Sequence, residues 1–162
     1  MIRIAFCIGL VYLFSACQES PTLTEEENKK VAADVRQMLH NYDEDVRKNG
    51  LSAEFKYLDN SPDFFWVPPG YTSSLDYDSV VIIIKQNAAL FSLVDNRWDT
   101  LDVYPLSPEL ASFTGKIKSH LQEFTGSEMN FTLIETGVAI KRKDGWKILN
   151  GQTAVLEEQH SY

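Results

Sequence analysis

Residues 63–98, DFFWVPPGYTSSLDYDSVVIIIKQNAALFSLVDNRW, constrain the fold more tightly than any other stretch. The aromatic run 63–67, with its strand core at 64–67, is expected to stop at Pro68-Pro69-Gly70, because prolines supply no ladder donor. A polar loop, 71–77, follows. Val80, Val81, Ile82, Ile83 and Ile84 have strand propensity when taken alone. The run continues through Lys85, Gln86, Asn87, Ala88, Ala89, Leu90 and Phe91, and positions 80, 84, 88 and 91 share one helical face. With Asp78 at the N-cap, the pattern predicts a covering helix in which packing overrides propensity. Asp95-Asn96 is expected to end this segment and Trp98 to open the next strand. A strand, a break, a helix and a return to sheet are the start of a cone around a pocket.

The N-terminus is read as a targeting segment. Residues 1–17, MIRIAFCIGLVYLFSAC, carry one basic residue, Arg3, then an apolar run and small residues before a cysteine. The ending Leu13-Phe14-Ser15-Ala16-Cys17 resembles the lipobox of bacterial lipoproteins, which implies a lipid on Cys17. The alternative is an ordinary signal peptide cut near Ala16. Residues 18–24 then form a polar tether, 25–156 the domain and 157–162 a tail. Lipidation places the product outside the cytoplasm, anchored to a bacterial membrane on its periplasmic or cell-surface side.

Cysteine use narrows the chemistry. Cys7 and Cys17 are the two cysteines of the chain. The domain itself therefore has no disulfide framework, thiolate metal site or redox pair. Without residues 1–17 the chain keeps 14 basic residues against 23 acidic ones. Such an acidic domain with no basic stripe is repelled by phosphate backbones, so no nucleic-acid partner is expected. About 140 residues suffice for a single domain with a substantial core.

Along the domain, Thr24 is expected to cap a helix whose first turn is Glu25-Glu26-Glu27, with Val31, Val35, Met38, Leu39, Tyr42 and Val46 on its apolar stripe. Asn49-Gly50 should end it. Tyr42 falls in the stripe, and His40 on the opposite, solvated side. Leu51, Phe55 and Leu58 predict a short second helix, broken at residues 59–62. The remainder is sheet: 98–104 stopping at Pro105, 111–122, 131–143, a tight Asp144-Gly145 hairpin turn, and 146–156.

This order resembles the NTF2-like superfamily. The motif KRKDGWKILNGQT at 141–153 looks like the closing hairpin of its SnoaL-like and DUF4440-type members, and DFFWVPPG at 63–70 looks like their first strand. The resemblance spans residues 25–156. It implies an α+β cone, a curved antiparallel sheet wrapped over about three helices, often dimeric through the sheet. In ketosteroid-isomerase-like members a tyrosine on the first helix donates to an oxyanion, and Tyr42 is similarly placed. Their general base precedes the proline closing the first strand, where this chain has Val67, which cannot accept a proton. The Asp-Arg clusters of epoxide-hydrolase-like members are also absent.

Glu135 is the sharpest candidate. In FTLIETGVAI (131–140) it shares a strand face with Leu133, Gly137 and Ala139, and its Glu-Thr pair resembles one near the pocket of other cone-shaped members. A carboxyl buried there has its charged form disfavoured and can act as acid or base near neutral pH. The alternative is a rim residue on a twisted strand. Trp66, Tyr71, Trp98 and Tyr104 are candidates for an aromatic pocket lining, against core packing. Asn150 and Gln152 share a face and are candidates to orient a polar ligand. His120 alternates outward with lysines, and His160 lies in the tail, so the histidines form no metal site. No phosphate loop, Ser-His-Asp set or cofactor motif is present.

These readings rank three functions. The first is a lipid-anchored domain that binds a small apolar or amphipathic ligand without chemistry. The second is an enzyme of isomerase, cyclase or hydrolase type using Glu135 and Tyr42. The third is an assembly module. A homodimer is expected through the outward face carrying Thr114, Lys116, Lys118, Ile134, Thr136 and Val138, the last set being too apolar for a solvated surface.

Overall fold

The computed structural model describes residues 23–159. The expected signal segment, Cys17, most of the expected tether and His160 lie outside the described residues. Helix α1 (Glu25–Asn49) begins with a full capping box: the Thr24 side chain accepts from the Glu27 N–H, and Glu27 reaches back to the Thr24 N–H at 2.8 Å. This arrangement contributes about 1 kcal/mol. Gly50, at φ 79°, ends the helix where L side chains are strained. Val35, Leu39 and Val46 of the apolar stripe are almost fully buried, and His40 is exposed.

Leu51–Lys56 is a 3₁₀ turn. Strand β1 (Phe65–Val67) follows, then helix α2 (Tyr77–Ala88). Asp76, not Asp78, caps α2, accepting from the Ser79 N–H at 2.9 Å. The β-branched run is helical as expected, with Val80 and Ile84 buried against the core and Ile82 turned to solvent.

Four long strands complete the chain: β2 (Phe91–Ser107), β3 (Leu110–Glu123), β4 (Glu128–Arg142) and β5 (Gly145–Gln159). Asp95-Asn96 does not separate helix from strand. It lies inside β2, where the ladder to β3 runs unbroken across it and Arg97 pairs with Asp95 on the same face. Pro105 does not stop β2 either. β2 is an edge strand and Pro105 adjoins a bulge, the two settings in which a missing donor is tolerated. β5 runs three residues beyond the expected boundary at Leu156, pairing with β4 as far as Gln159.

The sheet order is β1-β5-β4-β3-β2. The four long strands are antiparallel as expected, and β1 joins β5 in parallel. The concave face packs on α1, the 3₁₀ turn and α2, with Phe113, Ala111, Ala139 and Ile148 at its centre. Gly137 and Gly151 are directly paired there. A Cβ on Gly151 would come within 2.6 Å of the Trp66 ring, and one on Gly137 within 2.8 Å of Phe113. The glycines let these two rings lie flush on the sheet. Among the described residues no helix is long and apolar enough to cross a membrane.

Two bulges decide which side chains enter the cone. On β2, Trp98 pairs with Ile117 and Thr100 with Lys116, so Asp99 is an extra residue. On β5, Ile148 pairs with Ala139 and Asn150 with Val138, so Leu149 is extra. Past each bulge the alternation shifts by one residue and the faces exchange.

Candidate functional site

A hollow of about 230 Å³ opens at one end of the cone. Tyr42 reaches it from α1, Leu51, Glu54 and Leu58 from the 3₁₀ turn and the segment after it, and Trp66 from β1. Pro68 and Pro69 form its lip. Ile83, Ile84 and Asn87 of α2 close one side, and Phe91, Val94, Asn96, Ser119, Leu121, Leu133, Glu135 and Thr153 line the sheet side. Most of these walls are apolar.

Glu135 is 8 % exposed, and its Oε2 accepts a 3.1 Å hydrogen bond from the Thr153 hydroxyl. Burial pushes its carboxyl up to about 7, partly opposed by that bond. Glu54 faces the same space. Burial pushes it up to about 8; the Tyr42 hydroxyl beside it favours the anion, and the like charge of Glu135 disfavours it. Tyr42 itself is raised well above its ordinary value, by burial first and then by the acids around it.

The expected site residues divide. Tyr42, Trp66 and Glu135 meet in the hollow. Trp98 packs edge-on against Phe113 at 6.3 Å and lines a neighbouring hollow instead. Tyr71 leaves the site because the Pro-Pro-Gly segment is a turn: the Tyr71 N–H returns to the Pro68 carbonyl with Gly70 at φ 82°, leaving the ring exposed. Tyr104 lies beyond the Asp99 bulge and points outward. Asn150 and Gln152 lie beyond the Leu149 bulge, opposite the outward residues Val138 and Thr136, so the inward positions go to Gly151 and Thr153.

Glu54, Asn96 and Thr153 are site residues that the sequence reading missed. Glu54 had a usable signal, for Leu51, Glu54 and Leu58 fall on one face at helical spacing. Thr153 had none apart from the bulge.

A second hollow, about 320 Å³, lies between α1 and β2 and is lined by His40, Asp43, Glu44, Arg47, Asp95, Asn96, Arg97 and Trp98. Asp43 is 6 % exposed, and burial pushes its carboxyl to about 8, aided by the charges of Glu135, Glu54 and Asp95. The Trp98 indole favours the anion, but neither Asp43 oxygen completes a hydrogen bond. Asn96 lines both hollows. Elsewhere Asp59, also buried, is held by Arg142 through two bonds of 2.8 and 2.7 Å. This Asp-Arg pair was not evident from the sequence and lies outside the hollow. His120 bonds Asn130 at 3.0 Å on the outward face. Among the described residues no cluster of metal-binding side chains occurs.

The architecture matches known structures over most of its length. A candidate scytalone dehydratase from Novosphingobium aromaticivorans superposes with a TM-score of 0.75 at 8 % identity, covering 86 % of this chain and 93 % of that one. The fold is the NTF2-like α+β cone. An NTF2-like superfamily protein from Salmonella enterica gives 0.67 at 13 % identity, over 83 % and 99 % of the two chains. A hexachlorocyclohexane dehydrochlorinase gives 0.69 at 8 % identity, over 86 % and 94 %. No protein-family model matches the chain. No curated protein matches it. At these identities the NTF2-like likeness is one of fold, and the same fold hosts both binding and catalytic proteins.

Proposed function

We propose that this NTF2-like cone binds a small apolar or amphipathic molecule, held with its apolar part against Ile83, Phe91 and Leu133 and its polar part at Tyr42, Glu54 and Glu135. The observation that carries the reading is the open, mostly apolar hollow with polar groups converging at one place. Calorimetric titration with 1-octanol, toluene and octylamine tests it. Saturable binding of at least one is expected, weakened when Ile83→Trp fills the space. No saturable heat from any of the three would sink it.

A second reading, proton-transfer catalysis, is supported by Glu135, whose carboxyl at about 7 suits an acid or base at neutral pH. Neighbours described as a dehydratase and a dehydrochlorinase keep it in view. Turnover of a bound ligand lost in Glu135→Gln but not in Glu44→Gln is its expected signature.

Two proposals concern context. The lipobox-like ending Leu13-Phe14-Ser15-Ala16-Cys17 supports a lipid on Cys17, and Cys17→Ser should abolish detergent-phase partitioning. The outward face is proposed as a homodimer surface: Tyr104, Ser112, Val138 and Asn150 lie in one row across it, and Ile134 lies two rows away on the same face. Light scattering at micromolar concentration should give a dimer mass, and a monomer refutes this arrangement.

A further inference from the structure

We infer that the occupant of the hollow is an amphiphilic amine, its ammonium group seated between Glu54 and Glu135 and its apolar body along the wall formed by α2 and β4. This rests on the binding reading above and narrows it to one ligand chemistry.

Three observations carry it. The first is the sign of the polar groups: the ionisable residues lining the hollow are Glu54, Glu135 and Tyr42, and no Lys, Arg or His lines it. Two carboxyls share an apolar space with nothing to balance them, and an anionic ligand meets only repulsion. The second is the hydrogen-bond inventory. Among the described residues Thr153 is the one partner of Glu135, and it serves Oε2, leaving the other oxygen without a donor. Asn96 Oδ1 is buried, lines the same space and has no partner. What the lining lacks is a cation, and an ammonium brings a positive charge, three donors and no acceptor. The third is preparation of the anions. The Thr153 hydroxyl donates to Glu135 and the Tyr42 hydroxyl favours ionised Glu54. Each carboxylate thus has one donor in place and lacks a counter-charge. The Tyr42 and Trp66 side chains border the space, and aromatic rings attract cations. The overall charge of −8 draws cations toward the protein from a distance.

A neutral ligand with an acceptor head would need protonated carboxyls, so the two ligand types respond to pH in opposite directions. The groups facing Glu54 and Glu135 are each other and Tyr42 and Asp43 of α1, with Asp95 acting on Asp43. All are acidic. An entering cation therefore displaces protons, and its affinity rises as the carboxyls ionise.

The test compares octylamine, 1-octanol and octanoate by calorimetry on the purified protein from pH 6 to pH 8.5. Octylamine should bind at least about tenfold tighter than 1-octanol at pH 8, as expected for charge-assisted hydrogen bonds. The preference should grow with pH, and titration in two buffers of different ionisation enthalpy should show proton release. The double substitution Glu54→Gln with Glu135→Gln should remove the preference while 1-octanol still binds, which reports an intact hollow. Octanol binding as tightly as octylamine, or a preference that survives the double substitution, overturns the inference and leaves the binding reading standing. If toluene and all three octyl compounds fail to bind, both fall.

Discussion

Asp59 and Glu135 are both carboxylates almost out of contact with water, at 5 % and 8 % exposure, and their surroundings are opposite. Asp59 sits in the fork of Arg142 and accepts from Ser61 at 2.6 Å, and its carboxyl is held below the usual range by Arg142 before anything else. Glu135 has one hydroxyl and no cation, and burial drives it up to about 7. A carboxylate that ties a loop to a sheet is matched with its counter-charge inside the chain. One left without it faces the hollow, where a counter-charge can arrive from outside. The contrast separates a structural acid from a site acid better than burial does.

The largest effect should come from breaking the matched pair. Arg142→Met strands the Asp59 charge and should cost about 2 kcal/mol at pH 7, below the value for a fully buried pair because Arg142 is itself 38 % exposed. Urea unfolding measures it. Adding Asp59→Asn should recover most of the loss, and a double variant as unstable as the single would mean the pair is not the cause.

Next in size is the pH response. Asp59 has a lowered folded value, so its contribution is present above the unfolded carboxyl range and fades as pH falls through the folded value. Glu135 and Glu54 have raised folded values, so they cost stability progressively as pH rises from about 4.5 to about 7 and about 8. Stability should therefore fall between pH 5 and pH 8. Glu135→Gln should flatten that slope and gain about 1 kcal/mol at pH 8. An unchanged slope would place Glu135 in water. Carboxyl NMR gives the same answer directly, with Glu135 titrating near 7 and Asp59 below the ordinary aspartate range.

The smallest effect tests the Tyr42 contact. Tyr42→Phe removes the donor that favours ionised Glu54, so the Glu54 titration should move up by a few tenths of a unit. Glu135 should barely move. A downward shift of Glu54 would contradict the contact.

Local chemistry made the frame readable. Thr24 with Glu27, Gly50 after α1, Asp144-Gly145 and the strict alternation of β3 each act within a few residues. Glu135 and Tyr42 were legible for the same reason, because each lies on a regular stretch. What was hidden depends on partners far along the chain or on a break in regularity. Arg142 is 83 residues from Asp59. Tyr104, Asn150 and Gln152 follow bulges that strand periodicity does not foretell. Asp76 and Asp78 are equally good caps by composition, and the packing of Val80 and Ile84 selects the register that uses Asp76.

The extra residue at Leu149 is confined to its own place in the cavity wall. Deleting it would close the bulge with Ile148 still opposite Ala139 and Asn150 still opposite Val138, so Gly151 and Thr153 would keep facing the cone and the hydroxyl next to Glu135 would stay. Only a slip of the whole downstream register by one residue would set a side chain against the Trp66 ring where only hydrogen now fits. One-residue length changes at this position are thus absorbed in the ladder, and the glycine under Trp66 and the hydroxyl beside Glu135 keep their places whatever happens at Leu149.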